Sequence, residues 1–236
     1  MTHTDTFIQA SKRHIEGQIL SRAALDEFLT QSPCAVVFED CSFDGTDLSR
    51  HQLQGFEFRR CSFVETSLFA ADLAQTRWLG CRGRQADFEA ANLTDAHFQQ
   101  CDLNNSHWRR ARLSSASFME CKLTGASFQE VAHLGLSFED SLLVGADLRK
   151  VSFRKLHLKQ LDFSEADLSG CDFRDVVFEG GSLRNAQLKL TRFEGADLRE
   201  ARLSGLKLVD AKLFRGATLS HHQAAQLLEE LGIMVA

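Results

Sequence analysis

A repeat of five residues runs through most of this chain and leaves it few ways to fold. Between Phe38 and Leu213 there are 36 positions spaced by five, and 34 of them hold Phe, Leu or Trp; the exceptions are Gly83 and His133. A period of five fits neither the turn of about 3.6 residues in an α-helix nor the two-residue alternation of a strand. A fixed period kept over this length is the signature of a solenoid, in which each repeat packs on its neighbours.

Alternation within each repeat predicts which side chains point inward. In an extended segment, residues i and i−2 face the same way, whereas i−1 and i+1 face the other way. Phe118 and Leu123 are large inward residues, and Ala116 and Cys121, two places earlier, are small enough to share a narrow interior with them. The remaining position must turn the chain, so each pentapeptide is predicted to be one short side and one corner of a coil.

The cysteines indicate how many sides make one coil. Five of them are spaced by 20 residues, or four pentapeptides, and all occupy the small inward position: Cys41, Cys61, Cys81, Cys101 and Cys121. A square coil would stack them on one face, although chance within a five-residue constraint also produces such a spacing. Four-sided coils divide the 36 repeats into nine, and a rise of about 4.8 Å per coil gives a rod roughly 40 Å long.

Tandem units of Ala, then Asp or Asn, then Leu resemble those of the pentapeptide-repeat family. They occur at Ala91-Asn92-Leu93, Ala146-Asp147-Leu148, Ala166-Asp167-Leu168 and Ala196-Asp197-Leu198. The resemblance covers about three quarters of the chain. It implies an all-β solenoid, a right-handed quadrilateral β-helix of about nine coils, with an N-terminal cap and a C-terminal α-helix.

The first segment, residues 1–33, lies outside the register and is predicted to be a cap. Ser21 is a suitable N-cap for a short helix that runs to Thr30, and Pro33 marks its end. The open end of a β-helix is an exposed sheet edge, so covering it is a structural need. A separate functional domain is the alternative interpretation of this segment.

The other two segments are the β-helix itself, residues 34–215, and a C-terminal helix with its tail, residues 216–236. The second helix is predicted to begin at Ser220, and Gly232 stops it in the manner of a C-cap. The pair His221 and His222 at its start could bind a metal ion, but the sequence supplies no further ligands. Solvated capping residues are therefore the preferred interpretation.

Two positions break the repeat. At Gly83 the large side chain is missing, and we expect Trp78 to take up the volume. At His133 we expect the following Leu134 to turn inward through a local bulge. Both are interpreted as packing adjustments, with a role in recognition as the alternative.

Cysteine usage and the chain start bear on the compartment. The chain has seven cysteines, without a CxxC pair and with six at the small inward position, which is typical of core residues in a reducing environment. A disulfide or metal ladder is the alternative. The first residues lack a signal-peptide pattern, and no apolar run approaches membrane-spanning length. The sequence therefore predicts a cytoplasmic protein without a membrane partner.

Catalytic chemistry is not indicated. The sequence has no nucleophile–base set, no phosphate-binding loop and no metal-ligand spacing, and a filled rod offers no concave pocket. We predict no catalytic, cofactor-binding or metal-binding residue, and hence a protein that is not an enzyme. The formal net charge of −5 argues against direct binding to nucleic acid.

Charge sorted by position in the 20-residue coil singles out one side. The side that contains Phe38 carries nine acids against five bases, whereas the side that starts at Leu53 carries five acids and seven bases. The acids of the first side form the candidate partner-binding face: Glu39, Asp40, Glu57, Glu120, Glu139, Asp140, Glu179, Asp197 and Glu200.

The chain also resembles the topoisomerase-protecting branch of the family, the Qnr- and MfpA-type proteins and the peptide-antibiotic immunity proteins. That resemblance implies a homodimeric rod, shaped like B-DNA, that engages DNA gyrase or topoisomerase IV and relieves poisoning. Unlike Qnr-type rods, this one has no interrupting loops. The candidate dimerisation residues lie in the C-terminal helix and tail: Leu227, Leu228, Leu231, Ile233 and Val235. An interaction scaffold or effector with an unknown partner is the alternative function.

Overall fold

The structure is a computed structural model that describes residues 13–31, 36–205, 212–229 and 232–235. The repeats wind into a β-solenoid of about 8 turns, each with four short sides. The predicted all-β solenoid, a quadrilateral β-helix with a C-terminal helix, is confirmed. The last of the nine predicted coils includes residues that lie outside the described ranges.

One side of nearly every turn is a short strand, and the paired strands run parallel. The bounds are β1 (Arg13–Glu16), β2 (Val36–Glu39), β3 (Glu57–Arg59), β4 (Arg77–Leu79), β5 (His97–Gln99), β6 (Ser117–Met119), β7 (Ser137–Glu139), β8 (His157–Lys159) and β9 (Val177–Glu179), with helices α1 (Arg22–Gln31) and α2 (His221–Glu229). Strands β1 to β7 form one sheet, and β8 and β9 form a second. From β2 onward, paired residues differ by 20 in number, as Phe98 and Phe118 do.

The four sides of the coil serve as names below. The strand face comprises residues 36–40 and each equivalent segment 20 residues further on; the second, third and fourth faces start in the same way from 41–45, 46–50 and 51–55. The other three faces are held by single parallel bridges with the same shift, such as Ser42 with Ser62 on the second face. This shift confirms that four pentapeptides make one turn.

Each corner is a residue in the left-handed backbone region. The last residue of a pentapeptide takes a positive φ, for example 57° at Asn105 and 54° at Glu120. After three of the four sides, the next amide donates back to the central carbonyl of the preceding pentapeptide, as Ala116 N–H does to Leu113 O at 3.1 Å. The leftover fifth position is thus the turn, as the repeat predicts.

Aromatic rings fill the interior in parallel columns. On the strand face, Phe118 stacks on Phe98 at 4.8 Å and on Phe138 at 5.2 Å between ring centroids. Trp108 meets Phe118 edge-on at 5.3 Å. Its indole N–H donates to the buried hydroxyl of Ser106 at 2.7 Å. The small inward residue therefore supplies the partner that a buried indole requires.

The six described cysteines are free and buried, in the small inward positions predicted for them. The thiols of the five stacked cysteines contact carbonyls of the preceding coil, as Cys101 Sγ does with Trp78 O at 3.5 Å. Burial raises the pKa of Cys81 above its usual range and that of Cys171 to about 12. The seventh, Cys34, lies outside the described residues.

The N-terminal end is covered by β1 and α1. β1 pairs with β2 in parallel, and Phe28 of α1 packs on Phe38 with 6.0 Å between ring centroids. Ser21 Oγ accepts the amide of Ala24 at 3.3 Å, so Ser21 is the N-cap as predicted. The buried His51 ties α1 to the fourth face through Nε2 and Asp26 Oδ1 at 2.9 Å. Pro33, the predicted end marker, lies outside the described residues.

At the other end, one glutamine joins α2 to the last coil. Gln223 is buried, and its Nε2 donates to Leu198 O and to Ala201 O, each at 2.6 Å. Its Oε1 accepts the amide of Ser220 at 2.7 Å, while Ser220 Oγ accepts the amide of Gln223 at 3.3 Å. This reciprocal pair is a capping box, and it confirms Ser220 as the helix start.

The structure refines the two irregular positions. Leu134 is 85% exposed, so the predicted inward bulge is wrong: the corner at Gly135 keeps its positive φ, and His133 stays at the register position. At Gly83, an added Cβ would lie 3.0 Å from Leu103 Cδ2. The vacated volume is therefore shared by a leucine of the next coil rather than filled by Trp78 alone.

Neither α1 nor α2, the two helices of the described residues, has the length and apolar content that a membrane span requires.

Candidate interaction surface

All nine predicted acids lie on the strand face, in or beside the strands. Seven of them have a basic or imidazole partner: Glu39, Asp40, Glu57, Glu139, Asp140, Glu179 and Asp197. Glu120 accepts a hydrogen bond from Gln100 Nε2 at 2.7 Å. Much of the acidity predicted for this face is therefore neutralised locally.

At the N-terminal end of the strand face, one arginine holds two carboxylates. Arg60 reaches back one turn, with Nη2 2.5 Å from Glu39 Oε1 and 2.8 Å from Asp40 Oδ2. The hydrogen bond from Arg60 lowers the pKa of Asp40 below its usual value. The guanidinium screens the field of both carboxylates.

The same arrangement recurs 100 residues later. Lys159 Nζ lies 2.6 Å from Glu139 Oε1 and 3.2 Å from Asp140 Oδ2. The hydrogen bond to Glu139 raises the pKa of Lys159. His157 Nδ1 is 3.1 Å from Glu179 Oε1. The strand face therefore carries two clusters of partly exposed, partly neutralised carboxylates rather than one continuous acidic stripe.

Between these clusters the strand face is less charged and partly apolar. Leu79 and Met119 are 38% and 40% exposed, and Gln99 lies between them. They border a shallow groove of about 360 Å³ over β4 and β5. Sorting this side by charge alone misses the patch. Its signal in the sequence is two apolar residues, Leu79 and Met119, at outward positions one turn on either side of Gln99.

The C-terminal end carries an apolar patch. Leu227 packs partly buried against the core, whereas Leu228, Ile233 and Val235 are 38%, 48% and 46% exposed. The amide of Ile233 donates to Leu228 O at 3.0 Å, so the tail is bonded back to the last turn of α2. Leu231, the remaining predicted dimerisation residue, lies outside the described residues.

The two histidines at the start of α2 are exposed. Across the described part of the chain, no group of three or more His, Cys, Asp or Glu side chains is arranged to hold a metal ion.

Solved structures with a similar fold include QnrB1, a plasmid-mediated fluoroquinolone resistance protein. A trypsin-treated variant of it matches with a TM-score of 0.73 and 24% identity over 83% of this chain and 98% of that chain. Full-length QnrB1 matches with a TM-score of 0.61 and 22% identity over 94% of this chain and 98% of that one. HetL of the cyanobacterium Nostoc, a pentapeptide repeat protein involved in heterocyst differentiation regulation, gives a TM-score of 0.46 at 21% identity over 80% of this chain and 86% of its own.

Family profiles match directly in sequence. The profile described as Pentapeptide repeat region matches residues 34–108, 57–128, 91–160 and 111–188, and the one described as Pentapeptide repeats (8 copies) matches residues 182–213. A search of curated proteins finds no significant match. Because the first profile alone covers more than half of the chain, this protein belongs to the pentapeptide repeat family.

Proposed function

We propose that this chain is a non-catalytic binding protein that engages DNA gyrase or topoisomerase IV as a DNA-shaped rod and protects the enzyme from quinolones or peptide antibiotics. The observation that carries the proposal is the extent of the match to QnrB1, a fluoroquinolone resistance protein: 98% of its full length is covered. The likeness thus extends beyond the repeat to the two ends of the rod.

The strand face is the proposed contact surface. Its exposed carboxylates at Asp40, Glu139 and Glu179 suit a positively charged DNA-binding groove, and the exposed Leu79 and Met119 supply apolar contact between them. Interfaces draw much of their affinity from a few central apolar anchors, with charge mainly setting orientation and association rate. Leu79 and Met119 are therefore proposed to add affinity to a contact that the carboxylates orient.

The active form is proposed to be a homodimer through the C-terminal apolar patch. Leu228, Ile233 and Val235 are partly exposed together at one end of the rod. A two-fold pairing of identical patches is the commonest way for such a surface to be buried. The cytoplasm is the proposed location, in keeping with six described cysteines that are all unpaired.

The test is a supercoiling assay with purified gyrase, relaxed plasmid and a quinolone at an inhibitory concentration. We expect the chain to restore supercoiling at micromolar concentration and to reduce drug-stabilised DNA cleavage. A triple variant, Glu139→Gln with Asp140→Asn and Glu179→Gln, should weaken protection by about tenfold. The matched control, Asp44→Asn with Glu65→Gln and Glu165→Gln, neutralises the same number of acids on the second face and should protect like the wild type.

An interaction scaffold is the second candidate, and the local pairing of the strand-face acids favours it. A surface whose carboxylates are held by Arg60 and Lys159 is a weaker mimic of a phosphate backbone than nine free acids. If the chain leaves gyrase and topoisomerase IV unprotected from both drug classes, the scaffold function is the better one. Retained protection in the triple variant together with its loss in Leu79→Asp would instead favour apolar contact with the topoisomerase.

A further inference from the structure

The hydrogen-bond ladder between turns is interrupted at one place within residues 36–205. On the second and third faces the bridges pass through without a break, as in Lys122 with Leu142 and Ser127 with Asp147. On the fourth face the row stops at Ala132 and resumes at Ser152, and on the strand face the first sheet ends at β7. Between the same two turns the fourth face therefore lacks its bridge, and the strand face keeps one backbone hydrogen bond, from the amide of Asp140 to Lys159 O at 3.0 Å.

We call this interruption between the turn of β7 and the turn of β8 the seam. The backbone amides show its extent. On the preceding turn, the amides of Leu113 and Ser115 donate to Ala132 O and Leu134 O at 2.7 and 2.8 Å. The equivalent amides one turn later, those of His133 and Gly135, have no backbone acceptor among the described residues. The amide of His157 likewise makes no bond to Leu136 O, although its equivalent at Ser137 donates to Ala116 O at 3.0 Å.

The imidazole of His133 bridges the seam. Its Nδ1 lies 3.1 Å from Val131 O, and its Nε2 lies 3.1 Å from the amide nitrogen of Ser152. A carbonyl only accepts and an amide N–H only donates, so Nδ1 carries the proton and Nε2 accepts. The ring thus takes the hydrogen bond that the repeat would give to a backbone carbonyl, and it holds the two turns together through a side chain.

Loose packing accompanies the missing bonds. One cavity of about 210 Å³ lies at the fourth-face side of the seam and includes Val131, His133 and Val151 in its lining. Another of about 260 Å³ lies on the strand face and includes Phe138, Glu139 and His157. Lys159 crosses the second opening with ion pairs to Glu139 and Asp140.

We propose that this seam is a hinge at which the rod bends. The second and third faces keep their bridges and form the axis of bending. On the other two faces the contacts that hold the turns together are those of His133, the Asp140–Lys159 backbone bond and the Lys159–Glu139 ion pair. Bending separates β7 from β8 on the strand face, while the second and third faces keep their bridges. The rod would bend at this seam whether or not its partner is a topoisomerase.

Hydrogen exchange followed residue by residue tests the local part of the proposal. We expect the amides of His133, Gly135 and His157 to exchange at least about tenfold faster than those of Leu113, Ser115 and Ser137 after correction for intrinsic rates. His133→Phe, which restores the large apolar residue of the repeat, should slow the first group by about tenfold. Equal protection of the two groups in the wild-type chain would overturn the hinge, and that comparison needs no variant to fold.

Spin-label distances test the bending itself, in a background with Cys34→Ser. Labels at Met119→Cys and Glu179→Cys lie three turns apart across the seam on the strand face. Labels at Gln129→Cys and Lys189→Cys lie three turns apart across it on the third face. We expect a distance distribution at least about twice as broad for the strand-face pair. Equally narrow distributions for the two pairs would show a rigid rod.

Discussion

Phe118 shows how much of the stability rests on single inward residues. It is 1% exposed and contacts rings of the turns before and after it as well as those of the neighbouring column. Every large inward residue has a comparable setting, because each turn rests only on its two neighbours. A vacancy in such a column has no loop or second layer that could move in to fill it.

Phe118→Ala is therefore expected to lower the free energy of unfolding by about 3–5 kcal/mol, from lost burial and an unfilled cavity. Changing the exposed Glu120, whose carboxylate accepts a hydrogen bond from Gln100, to Ala should cost less than about 0.5 kcal/mol. Denaturant melts of the two variants measure the difference. Equal losses would contradict the assignment of inward and outward positions.

Gly181 and Gly145 share a left-handed backbone, with φ of 86° and 63°, but not their surroundings. A Cβ at Gly181 would clash with the backbone carbonyl of Leu161, whereas a Cβ at Gly145 would meet nothing within 4 Å. Gly145→Ala should cost about 1 kcal/mol from backbone strain alone. Gly181→Ala should cost more than about 3 kcal/mol, since the turn must shift. Similar melting midpoints for the two variants would contradict this close approach.

The buried thiols give a pH-dependent prediction. Because burial raises the pKa of Cys81, the folded chain keeps this thiol protonated at the pH where unfolded thiols ionise, about 8.5. The stability that this group contributes is present below that pH and is lost as the pH rises above it. A thiol reagent at about pH 8.5 should label the six described cysteines only in denaturant. Rapid labelling of these six cysteines in the native chain would contradict their placement in the core.

Particular residues show what the sequence predicts and what it omits. The inward positions of Phe118 and Cys121 follow from the period, since alternation and a repeated turn leave no other register. The pairing of Arg60 with Glu39 and Asp40 does not follow, because it depends on which long side chain reaches back one turn and on rotamers that no period specifies. The hydrogen bonds of His133 to Val131 and Ser152 do not follow either. The repeat marks His133 as an exception but does not specify what its ring contacts.

At the scale of elements, the two helices attach to the rod by different means. Phe28 of α1 packs on the ring of Phe38. Arg22 and Asp26 of the same helix form ion pairs with Asp47 and His51 of the first coils. α2 uses the amide of Gln223 to satisfy two carbonyls of the last coil. Both arrangements cover a sheet end that would otherwise present unpaired backbone groups to a second chain.

Gln223→Glu keeps the size of the side chain and its acceptor but removes both N–H donors. It leaves Leu198 O and Ala201 O facing a carboxylate, so we expect a loss of about 2–3 kcal/mol in the stability of the C-terminal end. Gln226→Glu, at an exposed position of the same helix, is the matched control and should change stability by less than about 0.5 kcal/mol. Hydrogen exchange over residues 221–229 measures both variants. Unchanged protection in Gln223→Glu would show that α2 is held by apolar packing alone.

At the scale of the whole molecule, the assembly state decides how long a surface the rod presents. Leu228→Asp places a charge in the C-terminal apolar patch and is expected to turn the proposed dimer into a monomer, measured by light scattering at micromolar concentration. Leu190→Asp is the control, because Leu190 is 75% exposed on the third face, away from the patch. A wild-type chain that is already monomeric under these conditions would contradict the proposed pairing and favour the scaffold function.

The unbroken register of the repeats also sets the rules by which such a rod could change its length. Inserting 20 residues adds one whole turn: later residues advance by about 4.8 Å along the axis and keep their faces. Inserting five residues instead turns everything downstream by a quarter of a revolution. The strand face after the insertion would then point along a different side, and the C-terminal patch would turn with it. Duplication in steps of 20 therefore conserves a two-fold assembly and a continuous contact surface, whereas a single added pentapeptide puts them out of phase.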